Sequence, residues 1–240
     1  MICVGCAGWN VPRAIVSRFA EAPSHLARYA SRLPAVEINT SFYRPHKPAT
    51  YARWADTVGD GFRFAVKVPR AMTHEAGLAV GDEEIAEFVA QVAGLGQKLG
   101  VLLVQLPPSL AFDARTAESF FAKLREQTSG AIVCEPRHAS WFETTAEKLL
   151  ARDRIARVAA DPARHAGAGA PGGWDGIVYY RLHGSPHTYY SSYSDEYLHQ
   201  LAQQLRSSEQ NSAACWCIFD NTAAGAAADN ALALLSALSG

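Results

Sequence analysis

AIVCEPRHASWF, residues 131–142, is the stretch on which the fold turns. Ala131 to Cys134 are four apolar residues in a row, which reads as a short strand buried on both faces. Glu135, Arg137 and His138 follow at once, and Trp141 closes the stretch. Continuous apolar strands are the mark of a parallel sheet covered by helices, because both sheet faces must be hidden. One acid and two bases at the end of such a strand then belong to a polar rim.

Outward from this strand the pattern repeats. Short apolar runs occur at 2–6, at the start of 35–43, and at 62–68, 101–107, 155–161, 177–184 and 215–220. Helical segments separate them, across 24–33, 48–58 and 144–152 and from Asp82, Asp113 and Ser194, which read as N-caps. After Asp82, residues Ile85, Phe88, Val89, Val92 and Leu95 keep to one face; after Asp113, so do Ala117, Phe120, Phe121 and Leu124. The last helix is AAADNALALLSAL, and AGAGAPGG (166–173) reads as a loop before a strand. Eight strands, most followed by a helix, in 240 residues predict a single-domain (β/α)8 TIM barrel over residues 1–240. The rival is an open doubly wound sheet, but neither G-x-G-x-x-G after a strand nor a Walker lysine motif supports it.

The formal charge of -1 gives no overall basic field to announce nucleic acid, though a local patch remains compatible with it. No apolar run reaches the roughly 18 residues of a membrane helix, and MICVGCAGW lacks the plan of a signal peptide. The expectation is a cytoplasmic protein with no membrane partner. Five cysteines is an odd count, which argues against a disulfide framework. Cys3 and Cys6 fall on opposite strand faces, so all five read as packed thiols.

A barrel keeps its functional face at the C-terminal strand ends, and those ends carry the polar residues here. Strand two ends in Glu37 and Asn39, followed by Thr40, Ser41, Tyr43 and Arg44. Strand three ends in Lys67, then Arg70, Thr73 and His74. Gln105, then Glu135 with Arg137 and His138, then Asp161, Arg181 with His183, and Asp220 with Asn221 and Thr222 end the others. Period-two alternation puts Glu37 with Asn39, Glu135 with Arg137, and Arg181 with His183 on one face each. A single strand-end charge is usually a structural ion pair or a solvated rim residue; seven strands doing the same thing point to convergence.

The chemistry expected follows from these types. Arg44, Lys67, Arg70, Arg137 and Arg181 suit an anionic ligand, arginine in particular through its planar fork. Glu37 or Glu135 is the candidate general base, and His183 the candidate acid or base. Asn39, Tyr43, His74, Gln105, Asp220, Asn221 and Thr222 complete the expected substrate contacts. FDNTAAGAA (219–227) leads into the last helix, whose N-terminus would either accept an anion or be capped by Asn221 or Thr222. His74, His138 and His183 with Glu37, Glu135 and Asp161 could ligate a divalent metal. That reading is less favoured, because Lys67, Arg137 and Arg181 compete for the same carboxylates; the cofactor is left open. Trp9, Phe42, Tyr43, Trp141, Tyr189, Tyr190 and Tyr193 are stacking groups or lids.

The chain resembles the YecE-like family, known as domain of unknown function 72. The stretches that carry the resemblance are GCAGW (5–9), VEINTSFYRPHKPATYARWA (36–55), FRFAVKVPRAMTHE (62–75), LGVLLVQLPPS (99–109), EPRHASWF (135–142), YYRLHG (179–184) and FDNTAAGAAADNAL (219–232). It implies a TIM barrel and no particular reaction. Two departures stand out: Cys6 and Ala7 replace a hydroxyl-bearing motif, and the approach to strand seven is glycine-rich rather than threonine-rich.

Two functions are carried forward. One is an enzyme of hydrolase or lyase type on a small anionic, phosphate-bearing ligand, with a nucleic-acid or nucleotide phosphodiester as a sub-case. The other is a non-catalytic binding or scaffold protein that keeps the pocket. Substrate identity and oligomeric state are not set by the residues.

Overall fold

The computed structural model describes residues 1–210 and 214–240. Ten strands form one sheet: β1 (Ile2–Ala7), β2 (Ala35–Ile38), β3 (Arg63–Lys67), β4 (Leu99–Gln105), β5 (Ala131–Glu135), β6 (Ile155–Arg157), β7 (Ala159–Asp161), β8 (Gly172–Gly173), β9 (Ile177–Leu182) and β10 (Ala214–Phe219). Their spatial order is β7-β9-β10-β1-β2-β3-β4-β5-β6-β8. Every pairing is parallel except that of β6 with β8. Strands β6 and β7 lie near opposite ends of this order yet are separated in the chain by Val158 alone. The chain itself therefore links the two edges, and the sheet is barrel-shaped and nearly closed.

The run at 155–161, expected as one strand, thus changes partner at its midpoint. Strand β6 pairs with β5, and β7 pairs with β9. The glycine-rich segment, expected wholly as loop, contributes β8, which lies antiparallel on β6. Gly173 stands at φ 65 there, and a Cβ would meet the Ile155 carbonyl at 2.5 Å, so the close approach needs glycine.

Eight α-helices are described: α1 (His25–Ala30), α2 (Thr40–Tyr43), α3 (Pro48–Thr57), α4 (Asp82–Val92), α5 (Ala114–Gln127), α6 (Thr144–Arg152), α7 (Asp195–Gln210) and α8 (Ala226–Ser239). Asp113 caps α5, accepting from Thr116 N at 2.8 Å, and Ser194 accepts from Tyr197 N at 3.3 Å. Asp82 is not a cap; Gly81 takes that position, and Asp82 opens the first turn beside Glu83 and Glu84, where acids suit the helix dipole.

Strand alternation divides the apolar residues into two bodies. Outward residues such as Val4, Val36, Phe64, Leu102, Ile132 and Phe219 pack under the helices. Inward residues form a separate cluster that includes Cys3, Ala35, Val101, Val133, Tyr179 and Trp216. Trp216 stacks on Tyr179 with ring centroids 5.9 Å apart. Ala35, Ala65, Val101 and Val133 fill the narrow interior, and the next inward residue on each of their strands is Glu37, Lys67, Leu103 and Glu135. The interior thus passes from apolar to charged one pleat at a time. All five cysteines are buried, with Cys3 inside and Cys6 on the outer face. No described helix is long and apolar enough to cross a membrane.

Candidate functional site

Arg181 is the centre of the polar end of the interior. It lies on β9 one inward step beyond Tyr179, and its side chain is fully buried. Its Nη2 donates to Glu37 Oε1 at 2.6 Å and its Nε to Glu37 Oε2 at 2.9 Å, a bidentate fork. Its Nη1 donates to Glu135 Oε2 at 2.7 Å, and Nη2 also reaches Asp220 Oδ2 at 3.1 Å. Strands β2, β5, β9 and β10 are thereby joined through one guanidinium. Burial alone would depress its pKa, but Glu37, Glu135 and Asp220 together hold it well above the usual value. Tyr179 OH donates to Glu37 Oε2 at 2.9 Å and completes that carboxylate.

His183 stands one pleat further out, just beyond the end of β9. Its Nδ1 is 3.0 Å from Asp220 Oδ2 and its Nε2 is 3.2 Å from Glu135 Oε1. Carboxylates on both ring nitrogens favour the imidazolium, in which both nitrogens donate. Burial opposes the charge, yet Glu135 and Asp220 outweigh it and raise the pKa. Glu135 also accepts from Arg137 Nε at 2.8 Å. Burial would raise the Glu135 pKa, but Arg181, Arg137 and His183 hold it well below the carboxylate range. Asp220 is likewise lowered, by Arg181 and His183 against burial.

Lys67 differs from its neighbours. Its ammonium lies 3.9 Å above the Phe42 ring and forms no hydrogen bond or ion pair with a described residue. Burial, then Arg181, bring its pKa down to about 8, although Glu37, Glu135 and Asp220 pull the other way. Ser41 on α2 sits 2.7 Å from the Lys67 carbonyl and pins Phe42 over β3. His74 packs edge-on against the same ring, centroids 4.9 Å apart. Gln105 Nε2 donates to Leu106 O at 3.2 Å, which fixes the amide orientation, and lies 3.4 Å from His74 Nε2.

A narrow cleft with about 20 Å³ of free volume, room for one water-sized group, opens beside this network, walled by Glu135, Arg137, Phe142, Arg164, His165 and His183 among others. Tyr189 roofs it, edge-on to His183 at 5.9 Å. Its φ of 72 is rare outside glycine, and its N–H donates to the His183 carbonyl at 2.5 Å.

Other expected residues lie elsewhere. Asp161 faces outward and accepts from Tyr193 OH at 2.8 Å, so it cannot join the histidines as a ligand. His138 caps the turn that follows β5, 2.9 Å from Ser140 Oγ. Asn221 is buried and donates to Ser191 O and Asn230 Oδ1, both at 2.9 Å. Thr222 is exposed, and α8 is capped by Gly225 at φ 79 rather than by either of them. Tyr43 is 77% exposed, and Asn39 lines a separate hollow with Trp9, Asn10 and Thr40. Arg44 and Arg70 are exposed, the latter 3.2 Å from Glu75. Trp141 closes its loop, donating to Leu110 O at 3.0 Å. Tyr179 was not among the expected site residues, though it shares the inward face with Arg181 and His183. Among the described residues no group of three or more His, Cys, Asp or Glu is disposed to hold a metal.

A family model described as "Protein of unknown function DUF72" matches residues 3–240. The UPF0759 protein YecE of Escherichia coli K12 is 32% identical over 107 residues, 45% of this chain and 38% of that protein. The UPF0759 protein YunF of Bacillus subtilis 168 is 29% identical over 150 residues, 59% of this chain and 52% of that protein. The chain thus spans about two fifths to one half of the length of these curated relatives. In fold it resembles a crystallised DUF72 family protein of Enterococcus faecalis V583, with a TM-score of 0.84 at 23% identity, covering 100% of this chain and 96% of that one. A DUF72 family protein of Thermotoga maritima MSB8 gives 0.80 at 24% identity, with 100% of each chain covered. A methyltransferase of Methanosarcina mazei shares the fold more distantly, at TM-score 0.58 and 11% identity over 99% of this chain and 94% of that one.

Proposed function

The chain belongs to the DUF72 family, and from that premise we propose that it is an enzyme whose (β/α)8-type barrel mouth binds a small anionic, phosphate-bearing substrate for hydrolase- or lyase-type chemistry. The observation that carries the reading is charge balance. Arg181, Arg137, Lys67 and a protonated His183 are four cations converging on three carboxylates, Glu37, Glu135 and Asp220. The partly closed cleft itself is lined by Arg137, Arg164 and His183 against the carboxylate of Glu135, a surplus of cations that a bound anion would offset.

Roles follow from which atoms are free. Arg137 and His183 line the cleft and would contact the anion. His183 has both ring nitrogens on carboxylates, so it would serve as general acid through Nε2 where a substrate oxygen displaces Glu135 from it. Glu37 has both oxygens occupied by Arg181 and Tyr179, and Glu135 is saturated by Arg181, Arg137 and His183. Neither is poised to take a substrate proton, so both are positioning residues here and not the bases that their types suggest. Lys67, its pKa brought down to about 8 by burial and by Arg181, is the cation here that can give up its proton just above neutral pH.

The same saturation favours a second reading, a pocket that binds without turnover. A panel of phosphate mono- and diesters, including nucleotides and oligonucleotides, separates the two. Turnover falling by about 10²–10³-fold in Arg137→Gln and His183→Gln is expected for the enzyme. Binding without product across the panel supports the second reading.

A further inference from the structure

Lys67 is the mouth cation that the ion-pair network does not use. The chain carries 17 arginines and five lysines. The mouth positions Arg137, half-buried, and Arg181, fully buried, take arginine, which stays charged, whereas β3 ends in a residue that can lose its proton. Lys98 and Lys123 have carboxylates at 3.8 and 3.1 Å, but among the described residues Lys67 has only the face of Phe42. The carboxylates nearest it are already bound by arginine.

We propose that Lys67 is a carbonyl-trapping amine, its Nζ condensing with an aldehyde or ketone carried by the phosphate-bearing substrate to give an imine. The inference rests on the anion-binding reading above for the substrate's phosphate and narrows the reaction class to lyase- or aldol-type chemistry. The amine lone pair forms the N–C bond while the carbonyl π pair moves to oxygen. The resulting carbinolamine loses that oxygen as water together with the two amine hydrogens, so no oxidant or reductant is required. Desolvation on a ring face beside another cation is a recognised way to free a lysine lone pair near neutral pH.

His74 is suitably placed to move the protons. Leu106 O can only accept, so the Gln105 amide turns its NH2 toward His74 Nε2, which must then be the acceptor. The proton sits on Nδ1 and is donated to Thr73 Oγ1, 2.9 Å away, whose own hydrogen goes to Pro69 O at 3.1 Å. A neutral imidazole, its Nε2 accepting from Gln105 at 3.4 Å, shares the Phe42 ring with the amine.

The test is reductive trapping. The protein is incubated with glyceraldehyde 3-phosphate, and in parallel with glyceraldehyde, and then treated with borohydride. The adduct is located by intact mass and peptide mapping. Expected is labelling of Lys67 at least about tenfold above the other four lysines, rising through pH 8. It should disappear in Lys67→Arg, or in Lys67→Met if the arginine variant loses its circular dichroism. Labelling of Lys67 no greater than that of the others overturns the inference. Calorimetry with inorganic phosphate on the same protein separates the two ideas. Phosphate bound with Lys67 unlabelled sinks the imine and leaves the anion reading standing. Lys67 labelled equally by both aldehydes, with no protection by phosphate, keeps the amine and sinks the anion reading.

Discussion

Arg181 has no solvent exposure and touches three carboxylates, so its energetics are all-or-none. Removing one partner of a buried pair costs about 3–5 kcal/mol, because the remaining charge is stranded. Glu37→Gln should therefore lower the unfolding free energy by about that amount in urea titrations at constant m. Arg181→Met should cost more, since Glu37, Glu135 and Asp220 all lose their cation. A loss below about 1 kcal/mol in either variant would mean that the network is solvated. Much of this cluster was legible, because a charge on the inward face of an apolar strand has only its neighbours for company. What sequence spacing could not tell is saturation. Glu135 looks like a base by residue type, but its three donors come from β9, the residue just beyond β9 and the loop after β5.

At the scale of elements, His183 ties β9 to β5 through Glu135 and to β10 through Asp220. Its pKa is raised in the fold, so its stabilising effect is complete below the ordinary value of 6.5 and is lost as pH rises through the raised value. Unfolding free energy of the wild type should fall across that window, and His183→Gln should flatten the profile. A parallel decline in the variant would assign the pH dependence to another group. Glu135 and Asp220 act in the opposite sense, stabilising above their ordinary values of 4.5 and 3.8 and ceasing to do so on acidification. Close packing between strands makes a further demand. A Cβ on Gly5 would meet the Ala35 carbonyl at 2.1 Å, where β1 pairs with β2. Gly5→Ala should cost about 1–3 kcal/mol or more, read as a lowered thermal midpoint. Strand positions were readable from short apolar runs, as Ala131–Glu135 and Leu99–Gln105 illustrate. The partner switch at Val158 was not, because alternation continues unbroken from Ile155 to Ala159 and only the neighbouring strand changes. The outward turn of Asp161 does follow from that alternation. The placement of Asn221 does not, since its partners Ser191 and Asn230 are distant in sequence.

Across the whole molecule, a formal charge of -1 conceals a sorted interior, apolar at one end and ionic at the other. Strand edges joined through Val158 make that sorting possible, because every inward side chain near the C-terminal ends faces the same small space. The central claim is that this space is built for an anion. Its most direct test is calorimetric titration with inorganic phosphate at low and moderate salt, on the wild type and on Arg137→Gln. The account predicts saturable binding at one site, weaker as salt rises, and weakened about tenfold or more in Arg137→Gln. No saturable heat in the wild type, or equal affinity in the two proteins, would contradict it.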